Sequence, residues 1–201
     1  MIRNLLLTLF VSLCTLSFAI AQVADTECPA SEMNAYCDLD DVNGATFTNP
    51  DPAMSSPPSG PLCGGGVFNN PGWYSFVAGS TEIELTVTPL PMTCDTVDQG
   101  GMDLTGVQVA LWQGCPEDGG TCVAGDSNCS DQPTTLNATD LIIGEIYNIT
   151  IDGCGGSVCT VEVSIDQSQP FDIPDVDDVE FADPEYNIRG GCDSGLPDGV
   201  F

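Results

Sequence analysis

Along residues 81–89, Ile83, Leu85 and Val87 alternate with Glu82, Glu84, Thr86 and Thr88. Successive side chains of an extended chain point to opposite faces. A period of two therefore predicts a strand with one face in a core and the other in water. The period recurs. Trp73, Ser75 and Val77 alternate with Tyr74 and Phe76; Val107, Val109 and Leu111 face one way in "GVQVALWQGC". Ile146, Asn148 and Thr150 oppose Tyr147, Ile149 and Ile151, and Val161, Val163 and Ile165 face one way in "CTVEVSID". "ATFT" at 45–48 is a weaker strand. No window carries a convincing helical period, and 22–66 is loop-rich, with "NPDPAMSSPPSGPLCGGG" too rich in Pro, Gly and Ser for a long helix. Short strands between turn clusters predict an all-β fold, a disulfide-stapled antiparallel β-sandwich over residues 22–166.

The two ends depart from this pattern. Arg3 precedes an apolar run, "LLLTLFVSLCTLSFAI", that ends at Ala19-Ile20-Ala21. A basic start, a short apolar stretch and an A-x-A site predict a secretory signal peptide over 1–21, cleaved to release a secreted, extracellular or cell-surface chain without membrane insertion. Residues 167–201 hold nine acids, with Pro170, Pro174, Pro184 and Pro197 scattered among them, which excludes a continuous central strand. They also hold Phe171, Ile173, Val176, Val179, Phe181, Tyr186 and Ile188, more apolar surface than a solvated acidic tail needs. The reading is an extended acidic tail that lies against something.

Charge narrows the partners. All 30 acids follow the leader, against Arg189 as the single base, a formal charge of −29 with no His. Such a surface repels nucleic acid and anionic lipid. Of the eleven cysteines, ten follow the leader, and an even number in a secreted Gly- and Pro-rich chain reads as a disulfide framework. Spacing around turns predicts Cys94–Cys115, Cys122–Cys129 and Cys154–Cys159, with Cys37–Cys63 closing the Pro-rich loop. Elimination leaves Cys28 with Cys192, a bond that staples the two ends of one subunit or links two subunits.

"NNPGWYSFVAGSTEIELTVTP", "GVQVALWQGC" and "GEIYNITIDGCGGSVCTVEVSI" together resemble the cysteine-containing β-sandwich of large secreted surface proteins from bacteria with type IX secretion. That module is similar to jelly-roll domains of the pre-peptidase C-terminal type, and the resemblance covers about residues 28–166. It implies a jelly roll with a surface binding or structural role and no established catalytic residue. The chain departs from that family in having an acidic tail where repeats and a sorting domain are usual.

Catalysis finds little support. Serines lack a His base, cysteines are expected to be oxidised, and carboxylate pairs are uninformative in so acidic a chain. The expectation is a non-enzyme. Trp73, Tyr74 and Trp112 have the chemistry to stack on sugars, but alternating aromatics more often form core. Asp38, Asp40, Asp41 and Asn43 before Gly44 resemble a calcium loop that misses the usual spacing by one residue. Calcium is thus the one cofactor the sequence leaves open, and a solvated turn is the competing reading. Sequons stand at Asn128, Asn137 and Asn148, and Thr96 lies in a "DTV" similar to the bacterial O-glycosylation motif, so the chain is a candidate glycoprotein.

Two functions compete, with a small hydrolase behind both. In the first, the chain is a structural subunit that builds an extracellular homopolymer. Phe171, Ile173, Val179, Phe181, Tyr186 and Ile188 of one tail dock on the next copy, and Arg189 pairs with a carboxylate at the joint. In the second, it is a stand-alone adhesion module for surface glycans or calcium.

Overall fold

The computed structural model describes residues 22–36 and 42–167. The predicted leader, the segment 37–41 and the tail from 168 onward lie outside the described residues. In chain order the elements are β1 (Gln22–Val23), α1 (Cys28–Met33), β2 (Ala45–Thr48), β3 (Gly72–Val77), β4 (Ile83–Pro89), β5 (Val97–Asp98), β6 (Asp103–Leu104), β7 (Val107–Gln113), β8 (Thr121–Ser130), β9 (Thr134–Ala138), β10 (Ile146–Gly153) and β11 (Thr160–Gln167). The five-stranded first sheet has the order β1-β2-β11-β4-β9, and the four-stranded second sheet has the order β3-β10-β7-β8. All their pairings are antiparallel except the two-residue pairing of β1 with β2. Setting β1 and the small β5–β6 hairpin aside, the first, eighth, third and sixth strands form one sheet and the second, seventh, fourth and fifth the other. That is the double Greek-key winding of a jelly roll.

The strands read from period two are all present. Leu85, Val87, Val161 and Val163 from the first sheet meet Phe76, Val109, Leu111, Ile149 and Ile151 from the second in one buried cluster. On the first sheet the outward positions are wet as expected: Glu84, Thr135, Asn137, Glu162, Ser164 and Asp166 are exposed.

The second sheet differs. Its outward residues are also buried: Trp73, Ser75, Gln108, Ala110, Asn148, Thr150 and Asp152 all lie at 5% exposure or less. A third layer covers them, built from α1 and residues 49–70. Phe68 packs 6.0 Å from Trp73 and 6.3 Å from Trp112, and Leu62 completes the second apolar cluster. The layer also seals the outer edge of β3, where Asp25 pairs with Trp73 and Tyr36 with Phe76. Two details add to the sequence reading. The stretch 22–66 includes a short helix, α1, entered through Pro29. β8 and β9, whose residues carry weak strand signals, were not expected.

The disulfide framework corrects it. The bonds are Cys28–Cys115, Cys63–Cys122, Cys94–Cys159 and Cys129–Cys154, with sequence separations of 87, 59, 65 and 25. Cys122 and Cys129 cannot join each other because both lie on β8, where seven residues of strand span about 23 Å. Cys94 follows the end of β4 and Cys115 the end of β7, at opposite ends of the sandwich, so that expected pair also fails. Cys154 leaves Cys159 for Cys129, and Cys159 turns into the core toward Cys94. Cys63 and Cys28 are engaged too, which overturns Cys37–Cys63 and Cys28–Cys192. Cys37 and Cys192 themselves lie outside the described residues.

Candidate functional site

The densest polar chemistry sits at the sandwich end where β10 gives way to β11. Asp152, at the last turn-facing position of β10, is fully buried. Its Oδ1 accepts the backbone N–H groups of Asn69 and Asn70, each at 2.8 Å. Its Oδ2 accepts Asn69 Nδ2 at 3.1 Å and Gln108 Nε2 at 3.4 Å. Burial pushes the Asp152 carboxyl up to about 6, while the Asn69 and Asn70 hydrogen bonds pull the other way. Among the described residues no cation offsets the charge, and each hydrogen bond to the carboxylate comes from a neutral donor. A carboxylate whose oxygens both face donors is held as a brace and has no lone pair aimed at a metal.

Around it the amides of two asparagines knit the loops. Asn70 Nδ2 donates to Pro50 O at 2.8 Å and Ser157 O at 3.1 Å, and its Oδ1 accepts Gly153 N–H at 3.1 Å. Asn49 donates to Ser157 O at 3.0 Å and accepts Cys159 N–H at 2.7 Å. Gly153 is required here, since a Cβ would lie 1.7 Å from Ser157 O. The network thus ties β2, the approach to β3, and the β10–β11 turn into one block.

A second cluster lies under α1. Ser31 and Ser75 share a hydrogen bond, Ser75 Oγ meets Asn148 Oδ1 at 2.5 Å, and Asn148 Nδ2 donates to Glu32 at 2.9 Å. Cys28, Glu32 and Cys115 cluster closely enough to suggest a metal site, but the two sulfurs are bonded to each other and are not thiolate ligands. Beside α1 a cleft of about 350 Å³ is lined by Asp25, Ser31, Asn34, Tyr36, Trp73 and Tyr74. Trp73 and Tyr74 are only 1% and 6% exposed, so their rings offer no free stacking platform. Trp112, at 6%, is likewise core. Burial, followed by the nearby Tyr36 and Asp25, holds the Tyr74 phenol well above its ordinary pKa. The indole N–H groups of Trp73 and Trp112 and the Thr150 hydroxyl are buried without a hydrogen-bond partner among the described residues.

The other sequence-derived sites distribute unevenly. Asn148 is fully buried and hydrogen-bonded, so it cannot carry a glycan, a correction to its sequon. Asn128, Asn137 and Thr96 are exposed. Of the calcium loop, Asn43 is exposed, and Asp38, Asp40 and Asp41 lie outside the described residues. So do Phe171, Ile173, Val179, Phe181, Tyr186, Ile188 and Arg189. The departure point of the tail is described: Gln167 pairs with Ile83, and Ile83 with Ala138, so the tail leaves two strand spacings from the end of β9. Asp152 and its asparagines were missed by sequence reading. The only signal was "NNPG" at a strand entry, which marks a turn without naming its partner. Among the described residues no helix is long and apolar enough to cross a membrane.

No protein-family model matches the chain, and no curated protein matches it.

Proposed function

We propose that the protein is a secreted, non-enzymatic structural subunit that assembles with copies of itself outside the cell, the acidic tail of one copy docking on the next. The observation that carries this reading is how the buried polar groups are used. Asp152, Asn49, Asn70 and Asn148 each brace backbone or loops. Among the described residues, four long-range disulfides staple further loops of the sandwich. A body so cross-braced suits load bearing, and the tail sequence carries the apolar residues that a contact with a second copy would bury. The resemblance to surface modules of type IX-secreting bacteria points the same way.

Arg189 has a place in this scheme. Subunits carrying −29 each repel at contact, and one guanidinium paired with a neighbour's carboxylate offsets part of that repulsion at the joint. The test is sedimentation velocity on the full mature chain and on Val179→Asp/Phe181→Asp. Association that grows with concentration and is lost in the variant supports the reading; a chain that stays monomeric throughout overturns it.

A further inference from the structure

We propose that the outer edge of β9 is the acceptor for the tail, and that the segment docking there is residues 175–183 of a second copy, added as a sixth strand of the first sheet. This rests on the self-assembly reading above and names its contact.

The four sheet edges are unequal. The β3 edge is sealed by Asp25 and Tyr36. The β2 edge is half covered by β1, which leaves only Ala45 and Thr46. The β8 edge is interrupted by two register shifts, carries Asp126, and is pinned by Cys63–Cys122 and Cys129–Cys154. Bulges and charges of this kind are how an edge is kept from pairing. β9 has none of these features. It runs in unbroken register with β4 from Thr134 to Ala138, and among the described residues no strand pairs with its outer side. Its sequence, "TTLNA", holds no charge and no proline.

The donor follows from the tail's composition. A pairing strand needs a proline-free run, and "DVDDVEFAD" between Pro174 and Pro184 supplies nine residues. Val179 and Phe181 share one face, which continues the buried row of Thr134, Leu136 and Ala138. Asp178 and Glu180 then fall beside the exposed Thr135 and Asn137, which are neutral and hydrogen-bonding. Backbone pairing supplies affinity and the two apolar side chains supply register.

The geometry around β9 favours a second copy over the chain's own tail. Reach does not decide: the eight residues from Gln167 to Asp175 span up to about 26 Å, against about 10 Å for two strand spacings. The route does. Across the end of the sandwich, loops 78–82 and 139–145 are bonded to each other, through Ala78 N–H to Glu145 O, Gly144 N–H to Ala78 O and Leu141 N–H to Thr81 O. Across the outer face of the first sheet, an acidic tail would pass Asp166, Glu84 and Glu162. A neighbour's tail reaches the edge from outside and takes neither route, and a head-to-tail contact of this kind propagates unless its rotation closes a ring.

Hydrogen exchange on the full mature chain over a dilution series tests this. The expected result is that amides of 134–138 slow at least about tenfold as concentration rises, and that Val179→Asp/Phe181→Asp removes the slowing. Slowing that is equal at every dilution would mean the chain's own tail is the occupant and would overturn the proposal. Concentration-dependent association by sedimentation without protection of 134–138 would also overturn it, while leaving the self-assembly reading standing. A monomer at every concentration would remove both.

Discussion

The two sheets of this sandwich are built to opposite rules. The second sheet is a middle layer, with apolar packing against the first sheet on one side and the α1 and 49–70 cover on the other. Three of the four disulfides among the described residues hold it or its cover: Cys28–Cys115, Cys63–Cys122 and Cys129–Cys154. The first sheet is an outer layer with a wet face of Thr, Ser and acids, one disulfide near its end, and an edge at β9 that pairs with no further strand among the described residues. The difference teaches where each kind of residue can change without consequence. On β10, the outward Asn148, Thr150 and Asp152 are core; on β11, the outward Glu162, Ser164 and Asp166 are surface.

The two sheets should differ most under side-chain truncation. Trp73→Ala, on the outward face of β3, is expected to cost about 3–5 kcal/mol in denaturant unfolding, as a core aromatic does. Thr86→Ala, on the outward face of β4, is expected to stay within about 0.5 kcal/mol. Equal effects would mean the cover is not part of the cooperative fold. Replacing Cys28 and Cys115 together by Ser should cost about 4 kcal/mol, since the bond closes a separation of 87 residues. Peptide mapping that joined either cysteine elsewhere would contradict the assignment.

Asp152 sharpens the contrast through pH. Its folded pKa, about 6, stands above the ordinary 3.8, so the folded state binds the proton more tightly than the unfolded chain does. Its contribution is therefore complete below 3.8 and is lost as pH rises to about 6, a difference of about 3 kcal/mol. The protein should be more stable near pH 4 than near pH 7, and Asp152→Asn should flatten that profile between those values. Lowering the net charge acts in the same direction, so the flattening in the variant is what isolates Asp152. A profile unchanged by the substitution would contradict the assignment.

The smallest effect belongs to the wet face. Asp166 and Glu84 lie directly opposite each other on β11 and β4, and like charges so placed repel. Glu84→Lys should raise stability by about 0.2–1 kcal/mol, and added salt should shrink the gain. A loss of stability would mean this face is covered.

How much of this was legible depends on where each element draws its order. β4, β7, β10 and β11 show period two because their inward residues are apolar, and they were readable. β8, "TCVAGDSNCS", has almost no apolar face; pairing with β7 and two disulfides make it a strand, and neither is local. The α1 helix, at six residues, is too short to show a period. The polar outward residues of β10 look wet until a cover is known to lie over them. The cystines were misassigned because spacing around turns favours near neighbours, whereas Greek-key winding brings together Cys28 and Cys115 or Cys94 and Cys159. Asp152 was invisible for the same reason, since its donors Asn69 and Asn70 lie 83 and 82 residues away.

The central claim is that the chain assembles with itself through its tail. Negative-stain microscopy of the secreted full-length protein, beside Val179→Asp/Phe181→Asp secreted to the same level, tests it most directly. The account predicts filaments from the first and dispersed particles from the second. Dispersed particles from both, or filaments from both, would contradict it.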